Sequence, residues 1–250
     1  MDNTKLKSRL GTKVQALLEQ TEEITPVNST YLALNPNTLD IIRSNLKSQP
    51  LTYELFDVVK SPSGGSTVFS VPGLSGDEVE KELYGIILDY TTPRAYWDSP
   101  DPVEGTPPVC LSKNSIISED GKACAHCPFN DYGSKDGESN AKACKESALL
   151  FLLRPNNILP LLVRVPVTSK GRFLKYATRL LSTLTPISSV VTKISLEKTT
   201  SKGGKPFALF NFEAVSILSP EEAAQAKAFG QQFMDIVNAA DMVPELAEAS

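Results

Sequence analysis

Leu6, Leu10, Val14, Leu17 and Leu18 recur mostly three or four positions apart, so residues 4–23 predict an amphipathic helix that Pro26 ends. A shorter helix is expected over 38–47, capped by Asn37 or Thr38 and ended before Pro50. The pattern then changes from helical to strand-like. Residues 52–60 (TYELFDVVK), 67–71 (TVFSV) and 83–90 (LYGIILDY) are rich in β-branched and aromatic residues, and Pro62-Ser63-Gly64-Gly65 and residues 73–76 punctuate them as turns. Residues 91–106 read as irregular, with Pro93, Pro100 and Pro102 around Tyr96-Trp97. Strand character returns at 148–153 and 159–167, and Pro160 and Pro166 assign the second of these to a sheet edge. Ser169 reads as the N-cap of a helix to Leu184, with Phe173, Leu174, Ala177, Leu180, Leu181 and Leu184 on its apolar face. Residues 190–196 and 206–218 flank a turn at 198–205 as a long hairpin, and a last helix is expected over 220–240, with Pro220 at its first position and Glu221 and Glu222 at the positive end of its dipole.

Five to seven short strands, one helix among them and no regular βαβ alternation predict a β-rich α+β fold, a small β-barrel or sandwich rather than a parallel sheet. The expected organisation is an N-terminal helical arm (1–48), a core (49–218) carrying an insertion (106–146), and a C-terminal helix with an acidic tail (219–250). A chain of 250 residues, 41% of them hydrophobic, is long enough to bury a core, and no apolar run approaches the ~20 residues that span a bilayer. Lys5, Lys7, Arg9 and Lys13 are not followed by an apolar stretch, so no secretory signal is read and a cytoplasmic location is expected.

That compartment argues against disulfides among the four cysteines, Cys110, Cys124, Cys127 and Cys144, which all fall within 35 consecutive positions. Cys124-Ala125-His126-Cys127 is a two-residue knuckle able to offer two thiolates to one tetrahedral ion, with Cys110 and Cys144 closing the set. Four protein ligands leave no open coordination position, so structural Zn2+ is expected. An iron–sulfur cluster, a set in which His126 replaces a cysteine, and four free thiols are the alternatives. The surrounding stretch, rich in Gly, Asn, Asp, Ser and Lys, cannot supply an apolar core of its own.

Net charge is −4, but unevenly spread. Residues 161–210 hold nine cations (Arg164, Lys170, Arg172, Lys175, Arg179, Lys193, Lys198, Lys202 and Lys205) against the single acid Glu197, a net of +8, whereas residues 211–250 net −6. Arg172, Lys175 and Arg179 recur at helical spacing with Tyr176 beside them, a stripe whose mutual repulsion a phosphate backbone would relieve. Binding to single strands also asks for exposed rings. The candidates are Tyr53, Tyr84, Tyr90, Tyr96, Trp97, Tyr132 and Tyr176, with Tyr96-Trp97 favoured because a Pro-rich loop buries rings less readily, and Arg94 lies next to them. Catalysis is not expected. The only histidine is His126, neither Gly64-Gly65 nor Gly203-Gly204 has phosphate-loop spacing, and Asp98, Asp101 and Glu104 read as a solvated linker rather than a two-metal nuclease set.

Several stretches together resemble a group of bacteriophage and prophage proteins: Leu83-Tyr84-Gly85-Ile86-Ile87, Arg94, Tyr96-Trp97, Cys110-Leu111-Ser112, Cys124-Ala125-His126-Cys127-Pro128, Tyr132-Gly133-Ser134, Lys142-Ala143-Cys144-Lys145 and Pro166-Val167-Thr168-Ser169. The resemblance covers about residues 51–218 and implies single-stranded DNA binding in replication or recombination, inside a phage-infected or prophage-carrying bacterium. The outline is also similar to the helix-destabilising proteins of T-even phages, which insert a zinc subdomain in an OB-fold. Those proteins use three cysteines and a histidine, so only the architecture carries over: the likeness implies an OB-like small β-barrel, the nucleic-acid-binding core, with an inserted four-cysteine zinc subdomain and peripheral helices. The likeness also implies recruitment of replication or recombination proteins through the acidic C-terminus. The reading from a different class is a zinc-containing protein-interaction or transcription-regulating adaptor acting on a host enzyme.

Overall fold

The computed structural model describes residues 31–34, 38–47, 49, 51, 55–99, 106–137, 140–201 and 203–239. The helix expected over 4–23, the ring of Tyr53, the cation Lys202 and the acidic residues from 241 on lie outside them.

Six strands form the central sheet: β1 (Val58–Val59), β4 (Glu82–Thr91), β8 (Ala148–Leu153), β9 (Leu161–Val165), β10 (Val190–Thr200) and β11 (Pro206–Ile217), in the order β1-β9-β8-β4-β10-β11. β1 runs parallel to β9 and the other neighbours are antiparallel. A two-stranded sheet pairs β2 (Phe69–Val71) with β3 (Glu78–Glu80), and a three-stranded sheet, ordered β6-β5-β7, joins β5 (Arg94–Tyr96), β6 (Cys110–Ser112) and β7 (Lys145–Glu146). The helices are α1 (Thr38–Leu46), α2 (Val167–Ser182) and α3 (Pro220–Ala239).

The continuous apolar run of β8 is explained by what covers it. Alternate strand residues point to opposite faces. Ala148, Leu150 and Leu152 enter one core with Leu161, Val163 and Val165 of β9 and Phe173 of α2, while Leu149, Phe151 and Leu153 enter a second core with Ile42 of α1 and Phe229 and Phe233 of α3. Between these faces β4 approaches β8 so closely that a Cβ at Gly85 would stand 2.4 Å from the Leu153 carbonyl oxygen, a contact only glycine permits.

The mixed α+β class with a mostly sheet core is as expected. Among the described residues the sheet is open, with β1 and β11 as its edges, and no closed barrel forms. β9 is not an edge strand: it lies between β1 and β8. Pro160 and Pro166 fall just outside its two ends, where neither removes a ladder donor. α2 begins at Val167 with Pro166 as its N-cap, and Ser169 is fully buried, its Oγ accepting a hydrogen bond from the Phe210 amide of β11 (3.0 Å) instead of capping the helix. The segment expected as part of an arm is packed into the second core through Tyr31, Ala33 and Ile42. α3 joins the same core, so the final helix is structural rather than peripheral. No helix among the described residues is long and apolar enough to cross a membrane.

Candidate nucleic-acid interface and cysteine lobe

The cysteine lobe grows from the small sheet, in which Tyr96 pairs with Cys110 and Arg94 pairs with both Ser112 and Glu146. Gly121 and Gly137 take positive φ, giving the chain between these strands its reversals. The knuckle is two consecutive 3-10 turns, Cys124–His126 and Pro128–Asn130. Backbone and side-chain bonds fix it: the Cys124 amide donates to Ile116 O (2.8 Å), Asn130 Nδ2 donates to Cys124 O (2.9 Å), and the Cys144 amide donates to Phe129 O (2.8 Å).

All four cysteines, with Tyr96 and Phe129, line one cavity of about 490 Å³. Burial pushes the Cys144 thiol up to about 12 despite the nearby Arg94 charge, and it also raises Cys110, whose hydrogen bond with Ser118 opposes the shift. The other three cysteines act electrostatically on Cys144, and Cys124 and Cys127 on Cys110, so the four share one neighbourhood. Cysteine thiolates are the ligand type that structural zinc and iron–sulfur clusters take. Among the described residues no three His, Cys, Asp or Glu side chains stand in metal-holding positions. His126 is exposed and also borders the cavity.

Arg94, expected on the DNA surface, is instead the buried tie of the lobe. Its guanidinium donates to Glu146 Oε2 (2.7 Å), to Asn130 Oδ1 and to Ser115 Oγ (3.5 Å). Glu146 is also paired with Lys170 in the first turn of α2, so this one carboxylate joins the lobe to the basic helix.

The expected cationic surface divides in two. Lys170, Arg172 and Lys193 are neutralised by acids far away in sequence: Glu146, Glu197 (2.8 Å) and Glu213 (2.5 Å) respectively. The Arg172 and Asn211 hydrogen bonds hold the Glu197 carboxyl below the usual carboxylate range. Arg164 is half-buried. Lys175, Arg179, Lys198 and Lys205 are exposed, and among the described residues no carboxylate pairs with them.

The aromatic expectations need correction. Trp97 is 7% exposed, its indole N–H donates to Thr106 O (2.9 Å), and it packs in the second core, so it is a structural plug rather than a stacking ring. Tyr176 is buried under α2, with its hydroxyl 2.7 Å from Thr192 Oγ1, and burial raises it to about 12. Tyr96 is half-buried and stacked on Phe129, with centroids 3.9 Å apart and planes 12° off parallel. Phe129, Asn130, Lys142 and Glu146 are lobe residues to which the sequence pattern assigns no role. For Phe129 the available signal is its place two residues after Cys127, where a knuckle displays its neighbours.

Compared with models of known families, with curated proteins and with solved structures, the chain finds no match.

Proposed function

We propose that the chain is a sequence-tolerant single-stranded DNA-binding protein, acting in phage replication or recombination and not in catalysis, whose cysteine lobe is closed by a structural zinc ion. The observation that carries this reading is the exposed set Lys175, Arg179, Lys198 and Lys205, left without acidic partners among the described residues while neighbouring cations are neutralised. Cations of this kind on a surface helix and a hairpin are what a flexible phosphate backbone needs. An open sheet can present them as well as a closed barrel can. Cys110, Cys124, Cys127 and Cys144 are the residues that would hold the zinc, and its role there is to fix a lobe with little apolar interior.

The test is a titration of fluorescent dT and rU oligomers at two salt concentrations. Because Arg172 is paired, Lys175→Ala with Arg179→Ala is expected to lower the salt slope by about 1 to 1.5, at ~0.7 per single-strand phosphate contact. An unchanged slope moves the DNA path off α2, and no binding to any oligomer overturns the reading.

The adaptor reading is favoured by one observation: Leu181 and Leu184 are exposed beside Arg179 at the end of α2, an apolar surface that a protein partner would cover. Co-purification of one host protein in the absence of nucleic acid would support that alternative.

A further inference from the structure

Among the described residues three aromatic rings stand exposed: Tyr84 at 41%, Phe129 at 40% and Tyr132 at 79%. Their electrical surroundings separate them. The Tyr84 hydroxyl donates to Glu82 Oε2 (2.5 Å), and Glu82 together with Glu213 outweighs the nearby Lys193 in pushing its phenol up, so an incoming phosphate would meet two carboxylates there, with Lys193 already paired to them. Tyr132 has the opposite neighbour, the Lys142 ammonium 4.4 Å from its ring centroid. Phe129 already lies face to face with Tyr96, and both exposed rings of the lobe fall within four residues of each other.

We propose that Phe129 and Tyr132 form a platform on the cysteine lobe that stacks the bases of single-stranded DNA, with Lys142 beside it to receive the backbone phosphate. The proposal rests on the single-stranded DNA-binding reading and moves its aromatic contacts from Tyr96-Trp97 to the lobe.

Preorganisation argues for this role. An exposed tyrosine in water ordinarily samples several rotamers, and ordering it on binding costs affinity. Here Lys142 covers one face of Tyr132, leaving the other for a base, and Lys142 is itself held by a bond to Asn130 Oδ1 (3.0 Å). Asn130 is in turn bonded by the buried Arg94. The Phe129 ring is held by its stack on Tyr96 and its backbone by bonds from the Cys144 amide (2.8 Å) and Ser134 Oγ (3.0 Å) to its carbonyl. Rings are sequence-tolerant partners because every base has a π-face. The Glu146–Lys170 pair ties this lobe to the first turn of α2, the helix that bears Lys175 and Arg179.

The experiment uses the full chain and oligo(dT). Tyr132→Ala is expected to weaken binding about five- to a hundredfold, with an unchanged salt slope and an unchanged melting temperature, since stacking is not ionic and the side chain is exposed. Tyr132→Phe keeps the ring and is expected to bind as the wild type does. Photocrosslinking with an oligomer carrying 5-iododeoxyuridine is expected to label the peptide containing residues 129–132. If the wild type binds oligo(dT) but Tyr132→Ala binds equally well or the label falls elsewhere, the platform is overturned while the DNA-binding reading stands. If the wild type binds no oligomer, both are overturned together.

Discussion

In β8 all six side chains from Ala148 to Leu153 are buried, whereas between Cys110 and Glu146 only Leu111, Ser112, Ser118, Cys124 and Cys144 are buried among the described residues. The first region is held by apolar surface removed from water on both faces of a sheet, and each large side chain there contributes on the order of 1.5–3 kcal/mol. The second has almost no such surface. It is held by directional contacts: the Arg94 fork, the Asn130 bond to the knuckle and the backbone bonds of Cys124 and Cys144. One chain thus contains a part held by burial and a part held by tethering, and the two meet at Glu146.

The sharpest way to break this contrast is at Phe151, which packs near Phe233 of α3 and is fully buried. Phe151→Ala is expected to cost about 3–5 kcal/mol and to lower the stability of the whole molecule in denaturant titration. A loss under about 1 kcal/mol would mean the sheet is not the source of global stability. Arg94→Ala is expected to cost less, about 2–3 kcal/mol, because Glu146 keeps Lys170 when the guanidinium is gone. Hydrogen exchange should locate that loss in the lobe: faster exchange at the Cys124 and Cys144 amides, with β8 amides unchanged. Equal acceleration in both regions would refute separate tethering.

Metal removal sharpens the contrast further. With the proposed zinc in place, the purified protein is expected to carry about one zinc per chain. Chelation, or Cys124→Ser, should then open the segment from Cys110 to Cys144 to protease while the cooperative unfolding of the sheet persists. Iron in elemental analysis would reassign the metal, and full protease resistance without metal would remove its structural role. The smallest effect is expected at Tyr176→Phe, about 1–2 kcal/mol, because Thr192 loses its buried partner. Burial raises this phenol from 10.0 to about 12, so its contribution to stability is fully present below pH 10 and lost as pH rises towards 12. Tyr176→Phe removes that alkaline step, and binding to oligo(dT) should stay unchanged, since the ring is buried. Weakened binding would return Tyr176 to the interface.

The long periodic elements were legible. The hairpin expected over 190–196 and 206–218 appears as β10 and β11, and the final helix runs from Pro220 to the last described residue, Ala239. The strand at 148–153 is β8 itself. The short elements were not legible: β3, β5, β6 and β7 have two or three residues each, too few to show an alternation, and they exist because other strands pair with them. Burial of Trp97 was hidden for a similar reason, because the Pro-rich loop around it says nothing of the core that receives the indole.

Sequence alone determined which segments alternate apolar and polar residues, where the chain must turn, and that four cysteines cluster in a stretch lacking its own core. These are local properties, written in neighbouring residues. The tertiary structure alone decided which cations stay exposed without an acidic partner among the described residues. Arg94 finds Glu146 across 52 positions and Arg172 finds Glu197 across 25, so a stripe that looks uniformly basic along the helix is partly neutralised in space. It also decided that β9 is interior and that the exposed rings of the lobe are Phe129 and Tyr132. Charge pairing and ring exposure depend on what the fold brings to a side chain from elsewhere in the chain, and that information is not carried by its own neighbours.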